Sequence, residues 1–193
     1  MSGKTYVSFK TNRGVAVYPR LDKAYSFDMG KNRSVPDPDG QLETGMTMSS
    51  EDAEPLIASI TEAVKKSGIT PEHLPYKVDK ETKTVTFKLK AYGKTKEGVA
   101  TRIPYRDGKA NPLPSSFVLT AGSEFKATGY VSVARKGARL NLKEIQVLKY
   151  VPAATAFEAE EDGWVYEGEP DNNNEMDSTI GNDDAGTSKD LDF

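Results

Sequence analysis

The sequence predicts a mainly β domain followed by an acidic tail, and three observations predict it. Several runs alternate apolar and polar residues with a period of two, only one run has helical spacing, and the charge is split along the chain. Of 193 residues, 29 are acidic and 26 basic, for a net charge of −3. Residues 158–193 hold 13 of the acidic side chains and one basic one, Lys189. The first 157 residues therefore carry about +9 and the remainder about −12, so the near-neutral total hides a basic body and an acidic tail.

The elements follow in order. Residues 5–10 and 14–18 read as two short strands around a tight turn at Asn12-Arg13-Gly14. Residues 28–48 are polar and rich in Pro and Gly, and read as a mobile loop. A helix comes next: Ala53, Leu56, Ile57, Ile60, Ala63 and Val64 share one face. Asp52 is the expected N-cap, which places Pro55 in the first turn, where a missing N–H costs little. Lys65 and Lys66 suit the negative end of the helix dipole, and Gly68 suits the left-handed position just past the end.

Residues 84–92 form the cleanest strand, with Val85, Phe87, Leu89 and Ala91 on one side and Thr84, Thr86, Lys88, Lys90 and Tyr92 on the other. A polar turn over 93–98 predicts residues 99–105 as its hairpin partner. Residues 123–134 and 138–151 predict a second, longer hairpin around Arg135-Lys136-Gly137. The last strand changes phase: Leu140 and Leu142 share one parity, Ile145 and Val147 the other. A one-residue slip turns every side chain over, so a β-bulge near Lys143-Glu144 is needed to keep all four inside. Strongly bent, bulged strands suit a small closed barrel. Together the elements predict an OB-type five-stranded barrel with an extra hairpin, one mid-chain helix and a disordered acidic C-terminal tail. The domain takes residues 1–157 and the tail 158–193, with Trp164-Val165-Tyr166 as a last ordered patch or a partner motif; the tail is too polar to offset its ordering entropy.

Composition removes several function classes. There is no cysteine and only one histidine, His73, so thiol chemistry and a nitrogen–sulfur zinc site are excluded. Ser2-Gly3-Lys4-Thr5 lacks the first glycine and the strand of a phosphate-binding loop. The carboxylates of Val35-Pro36-Asp37-Pro38-Asp39-Gly40 lack the further ligands of a calcium loop and read as turn chemistry. His73 has no nucleophile partner, so no enzyme, metal or cofactor is expected. No apolar run approaches the ~20 residues that span a bilayer; with no signal peptide at the start, the chain is expected in the cytosol, away from membranes.

What remains is a repeated pairing of cations with tyrosine. The outward side of 84–92 offers Lys88, Lys90 and Tyr92. Arg102 and Arg106 flank Tyr105. Lys126 and Tyr130 share one face of the next strand, and Arg135, Lys136 and Arg139 crowd the turn after it. Arg20, Lys23 and Tyr25 lie close together, as do Lys31 and Arg33. Lysines neutralise phosphates, and aromatic faces stack on bases of any sequence. The helix carries Glu51, Asp52, Glu54 and Glu62 and would repel phosphate, so the barrel is the expected contact. The end, Asp190-Leu191-Asp192-Phe193, places an apolar anchor among carboxylates, which suits capture by a basic-rimmed apolar pocket on a partner.

The basic β body, the mid-chain helix, the hairpin with Gly129-Tyr130-Val131-Ser132-Val133 and Leu140-Asn141-Leu142-Lys143-Glu144-Ile145-Gln146-Val147, and the tail tip Asp190-Leu191-Asp192-Phe193 together resemble the phage single-stranded DNA-binding proteins of the OB-fold type that serve replication. The resemblance implies a non-enzymatic protein that coats single-stranded DNA without sequence preference in replication, recombination and repair. It further implies that the tail recruits DNA polymerase and helicase–primase, with Phe193 as anchor and Asp190 and Asp192 as its collar, and it is compatible with a homodimer. The rival reading from the residues is a protein-interaction or chaperone-like module for basic partners that never touches nucleic acid, and an RNA-binding barrel is a third.

Overall fold

A computed structural model describes residues 6–153 of the chain. Nine strands and one helix follow in the order β1 Val7–Lys10, β2 Gly14–Asp28, β3 Arg33–Pro36, β4 Gln41–Ser49, α1 Ser50–Ser67, β5 Tyr76–Asp79, β6 Thr84–Tyr92, β7 Tyr105–Arg106, β8 Glu124–Ala134 and β9 Gly137–Lys149. The predicted boundary at 157/158, the Trp164-Val165-Tyr166 patch and the tail lie outside the described residues.

Five strands close a ring. β2 pairs antiparallel with β4, β4 with β6, β8 with β9 and β8 with β2, while β6 and β9 run parallel through Leu89↔Leu140 and Lys90↔Asn141. That is the OB-type ring the sequence predicts, with β1, β3, β5 and β7 added at its edges. Inward residues of every strand meet in one core, including Leu42, Met46, Phe87, Leu89, Phe125, Val131, Leu140 and Ile145, all buried.

The phase change in β9 is resolved as the sequence requires. Thr128 pairs with Glu144 and Gly129 with Leu142, which leaves Lys143 as the extra residue of a bulge. Leu140, Leu142, Ile145 and Val147 are then all buried and Lys143 is exposed. Gly129 sits opposite the bulge, where the strands approach closely. A Cβ there would lie 2.0 Å from the Asn141 carbonyl oxygen and 2.8 Å from Phe9 Cζ.

Four expectations are corrected. Asn12-Arg13-Gly14 does not turn a hairpin: β1 and the start of β2 lie end to end along the same edge of β8, through Lys10↔Thr128 and then Gly14↔Phe125. The Asn12-Arg13 step is a kink in one long edge, bridged by buried Thr11, whose Oγ1 accepts from the Ala127 amide at 2.8 Å. The segment 28–48 is not a loop but contains β3 and the central strand β4, in which Leu42, Thr44, Met46 and Met48 face inward. Residues 99–105 do not pair with β6 as a strand, because β9 takes that edge; only an isolated Lys94↔Ala100 bridge remains, and Tyr105–Arg106 pair with β9 instead. The helix starts earlier than predicted, at the N-cap Ser49, whose Oγ accepts from the Asp52 amide at 3.1 Å. Pro55 consequently stands inside the helix, while Gly68 ends it at φ 64 as predicted. The face Ala53, Leu56, Ile60 and Ala63 is buried against the sheet.

Because the nearest obstacle at Gly129 is backbone and cannot rotate away, Gly129→Ala should destabilise the fold by about 1–3 kcal/mol, read as a lower urea midpoint at unchanged slope. An unchanged midpoint would show that the bulge relaxes freely.

Candidate nucleic-acid interface

The site grows from the outward halves of the ring strands. On β6, burying Val85, Phe87, Leu89 and Ala91 forces Lys88, Lys90 and Tyr92 outward. On β8 and β9, Tyr130↔Asn141 and Ser132↔Arg139 are cross-strand neighbours on the outer face. The Asn141 amide group donates to Ser132 Oγ at 2.8 Å and to the Tyr130 carbonyl at 3.3 Å, which ties the two strands together there.

These strands wall a cleft of about 1110 Å³. Tyr92, Tyr130 and Arg139 line it, joined by Tyr6 before β1, Lys66 from the end of α1, Lys94 and Lys96 from the turn after β6, and Lys143 from the bulge. Among the described residues five cations and no carboxylate line this space. Lys66 is paired with Glu62 at 2.5 Å and Lys94 with Asp39 at 2.7 Å, so the surplus positive charge falls on Lys96, Arg139 and Lys143. The aromatic rings are paired with those cations. The Arg139 guanidinium lies 4.1 Å from the centre of the Tyr92 ring, and Lys143 Nζ lies 5.7 Å from that of Tyr130. Tyr6 stands edge-on to Tyr130, with centroids 4.9 Å apart at 74°. Nε and Nη2 of Arg139 are shielded from solvent and meet no acceptor among the described residues. Charged donors in that condition favour an incoming anion.

A smaller cleft of about 450 Å³ opens farther along β6, lined by Tyr18, Arg20, Glu43, Tyr76, Lys77 and Lys88 among others. Tyr18 precedes Pro19 at a bulge of β2, with φ at 46 and 82% of its surface exposed. Lys88 and Lys90 link the two clefts, and Glu43 across the strand pair reaches both, at 3.5 and 3.9 Å. Burial holds the Lys90 ammonium below its ordinary pKa; Lys88 and Arg139 add to this and Glu43 opposes it.

The structure therefore brings Lys88, Lys90, Tyr92, Tyr130 and Arg139 onto one face and places the remaining candidates elsewhere. Tyr105 turns inward against Phe117, with centroids 5.1 Å apart, and burial pushes its hydroxyl up to about 12. Arg106 is engaged by Glu144 at 2.5 Å and by the Ala110 carbonyl at 3.1 Å. Lys126 is half-buried near the start of β8, opposite Gln146. Arg102 is exposed between β6 and β7. Arg135 and Lys136 are exposed at the hairpin tip, which is fastened to the chain before β5 through Glu72 N–H to the Arg135 carbonyl and Ala138 N–H to the His73 carbonyl. Asp190, Leu191, Asp192 and Phe193 lie outside the described residues. Sequence reasoning did not single out Tyr6, Lys66, Lys94, Lys96 or Lys143. Tyr6 had a signal in its parity opposite Val7 and Phe9. Lys94 and Lys96 sat in what read only as a polar turn, and tertiary closure alone brings Lys66 to the cleft.

No family model matches the chain, and no curated protein matches it. Among solved structures it is similar to gp2.5, a single-stranded DNA-binding protein encoded by bacteriophage T7, at TM-score 0.60 and 16% identity, covering 84% of this chain and 100% of that one. It is also similar to the single-stranded DNA-binding protein from bacteriophage Enc34, both in a C-terminal truncation (TM-score 0.52, 16% identity, 76% of this chain and 87% of that one) and in complex with ssDNA (TM-score 0.52, 15% identity, 76% and 88%). The likeness shows the fold: this chain has the architecture of those phage proteins.

The lysine cluster yields a measurable sign pattern. In NMR titration of the lysine side chains, Lys88→Gln should raise the Lys90 midpoint and Glu43→Gln should lower it further. Shifts of the same sign in both variants would show that charge on the face does not control Lys90.

Proposed function

We propose that this chain is a sequence-independent, non-enzymatic single-stranded DNA-binding protein. The observation that carries this reading is the cleft on the outer face of the ring, where Tyr6, Tyr92 and Tyr130 stand among five cations with no carboxylate in the lining among the described residues. Stacking on such rings is worth ~1–3 kcal/mol per base and does not depend on sequence, while the cations neutralise phosphates. The shielded nitrogens of Arg139, without an acceptor among the described residues, suit a phosphate oxygen entering the cleft. Helix α1 carries Glu51, Asp52, Glu54 and Glu62, which argues against insertion into a groove of duplex DNA. The shared architecture with two phage single-stranded DNA-binding proteins, one of them in complex with ssDNA, supports the same reading.

The finer assignment joins this surface to the tail. The protein coats single strands in DNA replication, recombination and repair, in the cytoplasm of the host cell, and Asp190, Leu191, Asp192 and Phe193 recruit proteins such as polymerase and helicase–primase. The charge split supports it: about −12 on a tether attached to about +9 favours competition between tail and DNA for the basic face.

A gel-shift with an oligo-dT strand and with duplex DNA tests the first claim. Tight dT and weak duplex binding are expected, with Arg139→Ala weakening dT binding about ten- to a hundredfold, in line with ~1.5–3 kcal/mol for a hydrogen bond to a charged group. Binding to neither would leave the protein-interaction module as the reading. Removing the chain beyond residue 170 should tighten dT binding, most at low salt; equal affinity at every salt concentration would rule out the competition.

A further inference from the structure

A second arginine-on-tyrosine pair stands on the outer face, away from the cleft. β2 carries surplus residues between Arg20, which pairs with Glu43, and Tyr25, which pairs with Gln41. This bulging brings the Arg20 guanidinium over the Tyr25 ring, 5.3 Å from its centre. Leu42 is buried, so Gln41 and Glu43 face outward, and their partners on β2 and β6 share that face. Tyr25, Gln41 and Tyr92 therefore form one row across three strands, and Arg20, Glu43 and Lys90 form the next. Arg20 on Tyr25 repeats, on the far side of β4, what Arg139 on Tyr92 does at the cleft. The two tyrosines are separated by two inter-strand steps, about 9–10 Å between backbones.

Beyond Tyr25 the chain continues as a two-stranded arm of β2 and β3, with Phe27 opposite Ser34 and Asp28 opposite Arg33. Phe27 and Met29 at its end are 56% and 83% exposed. Asp28 accepts from the amides of Gly30 and Lys31 and so fixes the tip. Over residues 20–36 the cations are Arg20, Lys23, Lys31 and Arg33, against the carboxylates Asp22 and Asp28. The half-buried Tyr25 ring and the exposed Phe27 ring stand among surplus cations, in register with the rim of the cleft, and match a polyanion carrying planar bases.

We propose that Arg20, Tyr25 and Phe27 form a second single-strand station, which takes nucleotides that have left the cleft over Tyr92. Glu43 stands between the two stations and keeps phosphates from settling midway. This assignment rests on the single-strand reading and extends its footprint onto β2 and the arm.

The test uses the full chain with two dT strands, of about 5 and about 16 nucleotides, near the ends of the range covered by one such fold. Tyr25→Ala should weaken the long strand about tenfold, as expected for the loss of one stacked base, and leave the short strand unchanged. Tyr25→Phe should preserve both affinities, and Tyr92→Ala should weaken both. If Tyr25→Ala left long-strand affinity intact while Tyr92→Ala reduced it, or if Tyr25→Ala weakened both lengths equally, the second station would be refuted and the cleft reading would stand. If Phe27→Ser left long-strand binding unchanged but dissociated a dimer in sedimentation, the arm would belong to a second copy of the chain and the proposal would fall. Failure of the unmodified chain to bind either strand would remove the single-strand reading and this one with it.

Discussion

β9 must pair along both of its edges at once. It runs parallel to β6 at Leu140 and Asn141 and antiparallel to β8 along its length, and only this double pairing closes the ring. A strand of uniform alternation would put either Leu140 and Leu142 or Ile145 and Val147 outside, since the side-chain period is two. One extra residue, Lys143, resolves the conflict. It shifts the register between Thr128 and Gly129, keeps all four apolar residues in the core and requires a residue without a side chain opposite it.

The same defect supplies the site. Lys143 is pushed out beside Tyr130, and the stretch before the bulge sends Arg139 toward Tyr92. The cleft is thus a by-product of closing the ring, and β6, β8 and β9 fix the spacing of Tyr92, Tyr130, Arg139 and Lys143, while Lys66, Lys94 and Lys96 come from the helix end and a turn. The electrostatics are less uniform than the charge total implies. Among the described residues Lys66 and Lys94 of the cleft are paired with Glu62 and Asp39, and Lys88 and Lys90 share Glu43, whereas Arg139 has no carboxylate partner. Phosphate contact over β6 must therefore displace an existing ion pair, while contact at Arg139 displaces none among the described residues.

Legibility in the sequence followed the strength of local signals. β6 was read correctly to the residue because its alternation is unbroken over 84–92 and its outward residues are polar. The bulge was legible because a phase change in an apolar pattern has few other solutions. β4 was missed: Gln41-Leu42-Glu43-Thr44-Gly45-Met46-Thr47-Met48 does alternate, but one inward position is threonine, two are methionine and a glycine interrupts the outward row, so the pattern resembled a polar loop. The N-cap was placed three residues late, since Asp52 caps as well as Ser49 does on intrinsic preference and only the β4–β6 pairing through Ser49↔Thr84 decides between them. Residues 99–105 failed as a strand for a non-local reason: the edge of β6 they would have taken is held by β9 from the other end of the domain.

By itself the sequence determined the class of fold, the inward and outward sides of β6, β8 and β9, the helix face, the need for a bulge and the division of charge between body and tail. These depend on neighbours two to four residues apart, where the chain's own geometry dictates which side chains share a face. Tertiary structure alone decided that Tyr6 and Lys66 reach the cleft, that Tyr105 turns inward and Arg106 is engaged by Glu144, and that Tyr25 aligns with Tyr92 across β4. Each of these outcomes joins residues far apart in sequence through strand register, and register is fixed only when the whole ring closes around one core.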